Sequence, residues 1–393
     1  MKILYLSSLV SDSLFNKFVK KNLTAGYTGQ KYHGLFVRGL VENLEDKSVT
    51  ALSQPPVNKL FLQLKDHENG IKFRYVPIFP FPILKQLFFF IYSFLYTFYW
   101  CIRNLGEDKV IVCSLMRIYQ FPSVNIASTL FGCKYVTVAC DIPWMTTLQV
   151  SKSVSMKEKL SIWLSQKLCK SFDGYILLTE TMNTVLNPTN KPSIVVEGFC
   201  DIAMQKIKND FINKNPKNII IYAGGLCEKY GIKNLVEAVK QIPQDDVELW
   251  LYGAGDMVDS LLEEKHTRIK YFGVCPNNEV VDAELKAMIL INPRPTTDEY
   301  TRYSFPSKTL EYMVSGTYTM TTKLEGIPSE YFNYCGVIDN YDVEGLRNAL
   351  TLQLNRGRKD LHSAGIRAKE FALSNKNNVS QAKKVVDFIL KIK

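Results

Sequence analysis

The sequence of 393 residues lacks most of the cues that assign a chain quickly. It has no CxxC pair and no Cys/His cluster. Its nine cysteines stand singly, at 101, 113, 133, 140, 169, 200, 227, 275 and 335. That spacing excludes a zinc module and a disulfide framework of the small secreted kind. An odd count in apolar surroundings reads as reduced thiols of a cytosolic protein. Histidine is scarce, four in all, which leaves little for imidazole chemistry. No stretch reaches the roughly 18 clean apolar residues of a membrane span. No repeat at a solenoid period and no low-complexity tract occurs.

Negative charge is also in short supply. There are 38 Asp and Glu against 48 Lys and Arg, a net charge of +10. The excess points to an anionic partner: nucleic acid, an anionic membrane surface or a phosphate-bearing ligand. The positive residues are spread along the chain and no RNA- or DNA-binding motif appears, so nucleic acid is not expected. The start, MKILYLSSLVSDS, has one basic residue and an apolar run broken by serines. It reads as a buried first strand, not a signal peptide.

What is present in abundance is aromatic: 21 Tyr and 22 Phe. They concentrate in LFFFIYSFLYTFYWCI, Leu87–Ile102, an uncharged run flanked by Lys85 and Arg103. Sixteen residues are short for a span and rich in side chains that favour the membrane interface. Two readings stand side by side: a helix buried under its neighbours, or one whose outer face dips into a membrane surface. Lys17, Lys20 and Lys21 would add attraction to anionic lipid.

Apolar strand-length runs alternate with helix-length segments throughout. KILYLSS, SVTALSQ, KFRYVPI, KVIVCSL, KYVTVACD, GYILLTE and SIVVEGF are strands separated by helices. These include one near 119–131 and one near 156–171. Strands apolar on both faces and separated by helices predict a parallel sheet covered on both sides. Residues 201–217 are polar and charged and read as a linker. The pattern restarts with IIIYAGG, VELWLYGAG, IKYFGV, ILINPRP and TYTMTTK. The expectation is α/β, two Rossmann-like doubly wound domains facing across a cleft, over 1–200 and 218–365. The helices of 366–393 are expected to pack back toward the first domain. Ligands in such sheets bind beyond the carboxyl ends of strands, so residues just after each strand are the ones to inspect.

One such place is NPRPTTDEYTRYSFPSKTLEYMVSG, residues 292–316. It sets Arg294, Arg302, Lys308 and Glu311 on a loop and the helix after it. Pro306 suits the helix start and Gly316 its end. Leu310, Met313 and Val314 fall at i, i+3 and i+4 and face the core, leaving Ser307, Lys308, Glu311 and Ser315 for the other side. A helix N-terminus offers free N–H groups and a positive dipole end, which suits a phosphate. Lys308 is a cation where that dipole disfavours one, a misfit that an anion would resolve. Glu311, one turn in, has the reach to accept from two vicinal hydroxyls. The plain alternative is an exposed Lys–Glu pair.

The same residues carry a resemblance. The run from NPRP through EYTRYSFPSKTLEYMVSGTYTMTTKLEGIPSEY is similar to the donor-binding signature of retaining glycosyltransferases of family 4, the group-1 family with the GT-B fold. YAGGLCEKYGIKNLVEAVK at 222–240 resembles the first strand, loop and helix of that family's C-terminal domain. VVEGFCD at 195–201 resembles its inter-domain passage. The resemblance is strong over about 195–345 and weak before it. It implies a nucleotide sugar, UDP- or GDP-linked, held as donor by the C-terminal domain, and a saccharide acceptor held by the N-terminal one. It implies no metal and no further cofactor.

Carried over residue by residue, the donor site takes in Gly224, Gly225, Lys229, Arg294, Tyr303, Ser304, Phe305, Pro306, Ser307, Lys308 and Glu311. Glu311 would hold the ribose hydroxyls and Lys308 would lie near the diphosphate or sugar. Tyr303 stands where the family's motif has its first Glu. The usual diphosphate Arg and Lys align near Gly224 and Tyr230. Lys229, Arg294 and Lys308 are then the cations left for the diphosphate. Gly253 and Gly255, with Val274 and Cys275, are candidates for the nucleotide base.

In the first domain, TVACDIPWMT ends a strand with Asp141, a carboxylate for the acceptor or the transferring sugar, or a simple loop cap. Gln30 and Lys31 open the first long helix and are candidates for acceptor or phosphate. His33 reads as structural. The expected activity is transfer of a hexose with retention, catalysed by Asp141, Lys308 and Glu311. The acceptor would be a lipid-linked saccharide of cell-surface polysaccharide synthesis: capsule, exopolysaccharide or lipopolysaccharide. The expected place is cytoplasmic, peripheral on the inner face of the membrane. A non-catalytic partner subunit of this fold and a nucleotide-sugar epimerase are the rival readings.

Overall fold

The computed structural model describes residues 1–21, 23, 26–115, 121–145 and 155–392. The start of the expected helix near 119–131, and Thr146 of the TVACDIPWMT run, lie outside the described residues. The chain divides into two compact units, Met1–Phe199 with Asn378–Lys393, and Cys200–Asn377.

The first unit is built on an eight-stranded sheet. Its strands are β1 (Lys2–Ser7), β2 (Val49–Ser53), β3 (Lys65–Glu68), β4 (Ile71–Tyr75), β5 (Lys109–Ser114), β6 (Lys134–Ala139), β7 (Gly174–Leu177) and β8 (Ser193–Val195). The order across the sheet is β3-β4-β2-β1-β5-β6-β7-β8. Every pairing is parallel apart from β3 with β4. The apolar runs form the parallel strands because both faces are covered: Ile3, Leu4, Tyr5 and Leu6 are all buried. The exception is the polar Lys-Asp-His-Glu strand β3. It is the edge strand of a hairpin turned by Asn69 and Gly70, both at positive φ, 49° and 76°. That pair of conformations is the two-residue turn that matches strand twist, and Asn-Gly is its favoured sequence.

The helices of this unit are α1 (Asp12–Lys20), α2 (Tyr27–Asn43), α3 (Pro82–Arg103), α4 (Phe121–Leu130), α5 (Met156–Cys169) and α6 (Glu180–Leu186). The chain leaves β1 toward β2 and β4, then returns past β1 to β5 and on toward β8. Right-handed crossovers then set α3, α4 and α5 on the face opposite α2. Among the described residues no helix is long and apolar enough to cross a membrane.

The second unit carries a six-stranded, fully parallel sheet. Its elements run β9 (Asn218–Gly225), α7 (Ile232–Lys240), β10 (Val247–Ala254), α8 (Val258–Glu263), β11 (Ile269–Gly273), α9 (Asn277–Lys286) and β12 (Ile289–Asn292). They continue with α10 (Ser307–Ser315), β13 (Tyr318–Thr322), β14 (Gly336–Ile338), α11 (Val343–Leu354) and α12 (Arg358–Asn375). The order β11-β10-β9-β12-β13-β14 reverses direction between β9 and β12. Alternate β9 residues feed opposite cores: Ile220 and Tyr222 one, Ile219 and Ile221 the other.

Residues 201–217 hold two short 3₁₀ turns and are fastened to the second unit. Asn209 donates to the Ser315 carbonyl at 2.9 Å. The buried Lys214 amine donates to the Ala287 carbonyl at 2.7 Å and to the Thr317 hydroxyl at 2.9 Å. Burial, with the nearby Arg358 charge, pulls its pKa down to about 7. Two donated bonds are what a neutral amine can make with its two N–H groups. The last helix, α13 (Asn378–Lys391), belongs to the first unit and lies along α2. A Cβ on Gly39 of α2 would fall 2.1 Å from the Asn378 carbonyl oxygen, so that contact requires glycine. All nine cysteines are free thiols.

Candidate active site

The strand-order reversal of the second sheet brings the carboxyl ends of β9 and β12 side by side, the place where such sheets leave room for a ligand. β9 ends in Ala223-Gly224-Gly225, and β12 in Asn292 followed by Pro293 and Arg294. The loop after β9 makes one 3₁₀ turn, Glu228–Tyr230, and then Gly231 at φ +81°. A Cβ on Gly231 would lie 2.3 Å from the Pro293 carbonyl oxygen. A left-handed backbone and that close approach both demand glycine, and together they press the loop onto the end of β12.

Lys308, in the first turn of α10, reaches back across this junction. Its ammonium donates to the Ala223 carbonyl and stands 5.7 Å from the centre of the Tyr222 ring. It passes over Gly224, where a Cβ would fall 2.1 Å from Nζ. Tyr312, one turn on and fully buried, accepts from the Ala223 N–H at 2.9 Å. So α10 docks on β9 through two side chains four residues apart. The cation that the N-terminal dipole disfavours is accommodated by a carbonyl oxygen and a ring face.

A second cation arrives from β12. The Arg294 guanidinium lies over the Tyr230 ring at 4.8 Å and near the Tyr300 ring at 5.9 Å. Its buried Nε makes no hydrogen bond among the described residues. The Tyr230 ring in turn rests on Gly225, whose Cβ would be 3.0 Å from it. Lys229 is exposed, with its ammonium 5.3 Å from the same ring. Burial raises the Tyr222 phenol well above its usual range, and the Arg294 charge acts against that rise. Lys308 and Arg294 are therefore both felt at Tyr222, on β9.

The loop between β12 and α10 is closed by packing. Phe305 is buried, with its ring 5.4 Å from that of Tyr331. Pro306 is buried at the helix N-cap, which has no side-chain cap bond, and Ser307 is exposed. The Ser304 carbonyl lies so close to Gly326 that a Cβ there would be 2.2 Å from it. Tyr303 and Ser304 are half-buried, and the Ser304 hydroxyl has no partner among the described residues. Glu311 is half-buried one turn into α10. Ser315, expected on the outer side with Lys308 and Glu311, is instead fully buried. Its hydroxyl donates to the Tyr312 carbonyl and accepts from the Thr317 N–H, so it closes the helix end. Arg302 pairs with Glu325 at 2.7 Å on the surface, away from the other cations' partners.

Gly253 of β10 and Gly255 just past it sit against the same strand end. A Cβ on Gly253 would fall 1.9 Å from the Gly224 oxygen, and one on Gly255 2.2 Å from the Leu226 oxygen. Close approach of two backbones accounts for both. Past β11, Val274 is exposed and the Cys275 thiol donates to the Phe272 carbonyl at 3.4 Å. Phe272 stacks on Tyr252 at 4.8 Å.

In the first unit, Gln30 is buried and uses its amide on the backbone of Val10. Its carbonyl accepts from the Val10 N–H at 3.2 Å and its NH₂ donates to the Val10 carbonyl at 2.7 Å. Lys31 is exposed. His33 is buried, 2.5 Å from the Tyr5 hydroxyl. Asp141 reaches solvent just past β6, and the protein packed around it raises its carboxyl pKa.

Sequence reasoning missed Tyr300 and Tyr312, and named Tyr230 only as the place where the family's usual cation aligns. Tyr312 carried a signal, since it follows Lys308 by four residues and so shares its side of the helix. The pairing of Tyr230 with Arg294 spans 64 residues and has no local signature.

Residues 217–355 match the family described as Glycosyl transferases group 1. No curated protein matches the chain. Three solved structures cover it from end to end at low identity. Sucrose-phosphate synthase from Thermosynechococcus elongatus superposes with a TM-score of 0.69 at 14% identity, over 100% of this chain and 99% of its own. Anabaena HepE in complex with UDP gives 0.66 at 14%, over 99% and 100%. The lipopolysaccharide outer core galactosyltransferase WaaB gives 0.62 at 12%, over 99% of each chain. The chain thus has the GT-B fold, and its second unit carries a group 1 glycosyltransferase domain.

Proposed function

We propose that this chain transfers a hexose from a nucleotide sugar to a saccharide acceptor with retention of configuration. The observation that carries the reading is the gathering of Lys308 and Arg294 at the Gly224–Gly225 strand end, beside an α10 N-terminus with no side-chain cap. A diphosphate there would be met by two cations and the positive end of the α10 dipole, with no metal. The Arg294 guanidinium, whose Nε–H has no partner among the described residues, is the group to meet a phosphate oxygen. Glu311, one turn further, would accept from the ribose hydroxyls. UDP is the first nucleotide to test, because HepE is described in complex with UDP and with UDP-glucose.

Catalysis in this reading is electrostatic. The developing charge on the leaving diphosphate is stabilised by groups already in place, Lys308 and Arg294. The acceptor hydroxyl attacks on the face the diphosphate leaves, and a phosphate oxygen takes its proton. Asp141, whose raised pKa keeps it nearer neutral pH than a free carboxylate, would touch the acceptor or the sugar. The acceptor is a lipid-linked saccharide, and the enzyme works as a peripheral protein at a membrane surface. The test is release of UDP from UDP-sugars, with and without acceptor, by the purified chain. Turnover that Lys308→Ala and Glu311→Ala both abolish supports the reading. A folded protein that binds no nucleotide would transfer the weight to a non-catalytic partner role, which Tyr303 at the motif's Glu position favours.

A further inference from the structure

The first unit exposes apolar side chains where a water-facing helix would be polar. Of 27 large hydrophobic residues exposed among those described, 15 lie between Phe81 and Leu164. On α3 the inner stripe, Phe89, Ser93, Thr97, Trp100 and Cys101, is buried. The opposite stripe, Phe88, Ile91, Leu95, Tyr99 and Ile102, is exposed and holds no polar residue but the Tyr hydroxyl. A surface helix usually shows a polar outer face.

α5 repeats the arrangement. Met156, Leu160, Trp163 and Leu164 follow at i, i+4, i+7 and i+8, and are 82%, 64%, 55% and 44% exposed. Their inward partners, Ser165 and Cys169, are buried. Exposed Lys159 and Lys167 flank the stripe, with the Lys167 ammonium 5.2 Å from the Trp163 ring. The one acid of the helix, Glu158, is held in a capping box with Ser155. The crossovers put α3 and α5 on the same side of the sheet with α4 between their strands, and α4 adds exposed Ile126 and Leu130.

We propose that this outer face, α3 with α4 and α5, rests on an anionic lipid bilayer, with Trp163 and Tyr99 at headgroup depth. Residues 81–172 carry ten Lys or Arg against four Asp or Glu, a net +6 of the chain's +10. Lysines around an apolar, aromatic stripe suit an anionic interface. They argue against a second copy of the chain, because a two-fold contact sets the same patch against itself and lysine against lysine. The helices lie on the surface, since the inner stripe of α3 is packed on the unit's core. The inference specifies the peripheral placement proposed above. It stands apart from the donor site, because none of its residues lies in the second unit.

The experiment is co-sedimentation of the full chain with phosphatidylcholine vesicles, with and without phosphatidylglycerol, alongside nucleotide binding in solution. Binding to the anionic vesicles is expected, weakened by salt, with part of the tryptophan fluorescence of the unaltered protein quenched by brominated lipid and that part lost in Trp163→Phe. Leu160→Ser with Trp163→Ser, and separately Lys159→Glu with Lys167→Glu, should lower partitioning about tenfold or more. Both should leave nucleotide binding as it was. The second pair alters only exposed charges, so it reports even if the first fails to fold. No partitioning, partitioning that neither pair changes, or a dimer that the first pair dissolves would each overturn the proposal. Loss of nucleotide binding in the unaltered chain would count against the donor site alone.

Discussion

The two sheets reverse direction at their first strands, β1 and β9, and the loops beyond those strands are closed by opposite means. After β1 a neutral amide does it: Gln30 brackets both backbone groups of Val10, and the Ser7 hydroxyl accepts from the Leu9 N–H. After β9 the closing groups are a cation and a phenol, Lys308 and Tyr312, both on Ala223. Bracketing by an amide satisfies the polar groups it covers and leaves no charge to answer. A lysine on a carbonyl keeps a full charge at the strand end, and Arg294 adds another. The same architecture is thereby locked in one unit and left electrostatically poised in the other. The units differ on their outsides too, with 13 of the 27 exposed large apolar side chains of the described residues on α3, α4 and α5 of the first.

The largest effect should fall on the charged strand end. Lys308→Ala is expected to lower turnover at least a hundredfold, about 3 kcal/mol of transition-state stabilisation. Its stability should change little, since Tyr312 still holds Ala223. Equal loss from Gln30→Leu would break the contrast, because Gln30 is placed to close a loop and touch no donor. Next comes Gly231→Ala. Its strained φ and the clash with the Pro293 carbonyl should destabilise the second unit by about 2–3 kcal/mol, read as a lowered urea midpoint. Gln30→Leu and Tyr312→Phe then test the two closures directly. Each leaves buried backbone groups with fewer partners, for roughly 1–2 kcal/mol. Only Tyr312→Phe should also weaken nucleotide binding.

A smaller effect is one of pH. The amine of Lys214 titrates near 7 in the folded chain and near its ordinary value when unfolded. Between those two values the unfolded chain binds the extra proton, so stability rises with pH across that window. The slope from this one group should approach about 1.4 kcal/mol per pH unit at most. Lys214→Met should flatten the rise in melting temperature from pH 7 to 9, and an unchanged slope would sink the assignment. Arg302→Ala should do least, leaving the melting temperature essentially unchanged, because its pairing with Glu325 is half exposed.

Much of the fold is written locally. Strands with both faces apolar, such as Ile219–Tyr222, have only the interior of a covered parallel sheet to enter. The polar strand β3 escaped because Lys-Asp-His-Glu has no apolar face, although the Asn-Gly turn beside it is a strong hairpin cue. Within the candidate site, the Lys308 misfit with the helix dipole was legible, and so was the core face of Leu310, Met313 and Val314. Ser315 was misread because helical spacing ignores what the chain does past Gly316, where the Thr317 N–H needs an acceptor. The outer stripe of α5 was illegible for a different reason. Met156, Leu160 and Trp163 show the same period whether they face the sheet or face away.

The account turns on whether a nucleotide diphosphate sits between Lys308 and Arg294. Calorimetric titration of UDP and GDP into the unaltered chain, Lys308→Ala and Arg294→Ala is the direct measurement. The prediction is binding of one nucleotide by the unaltered chain, weakened at least tenfold in each variant. Undiminished binding in both variants would place the diphosphate elsewhere and contradict the account.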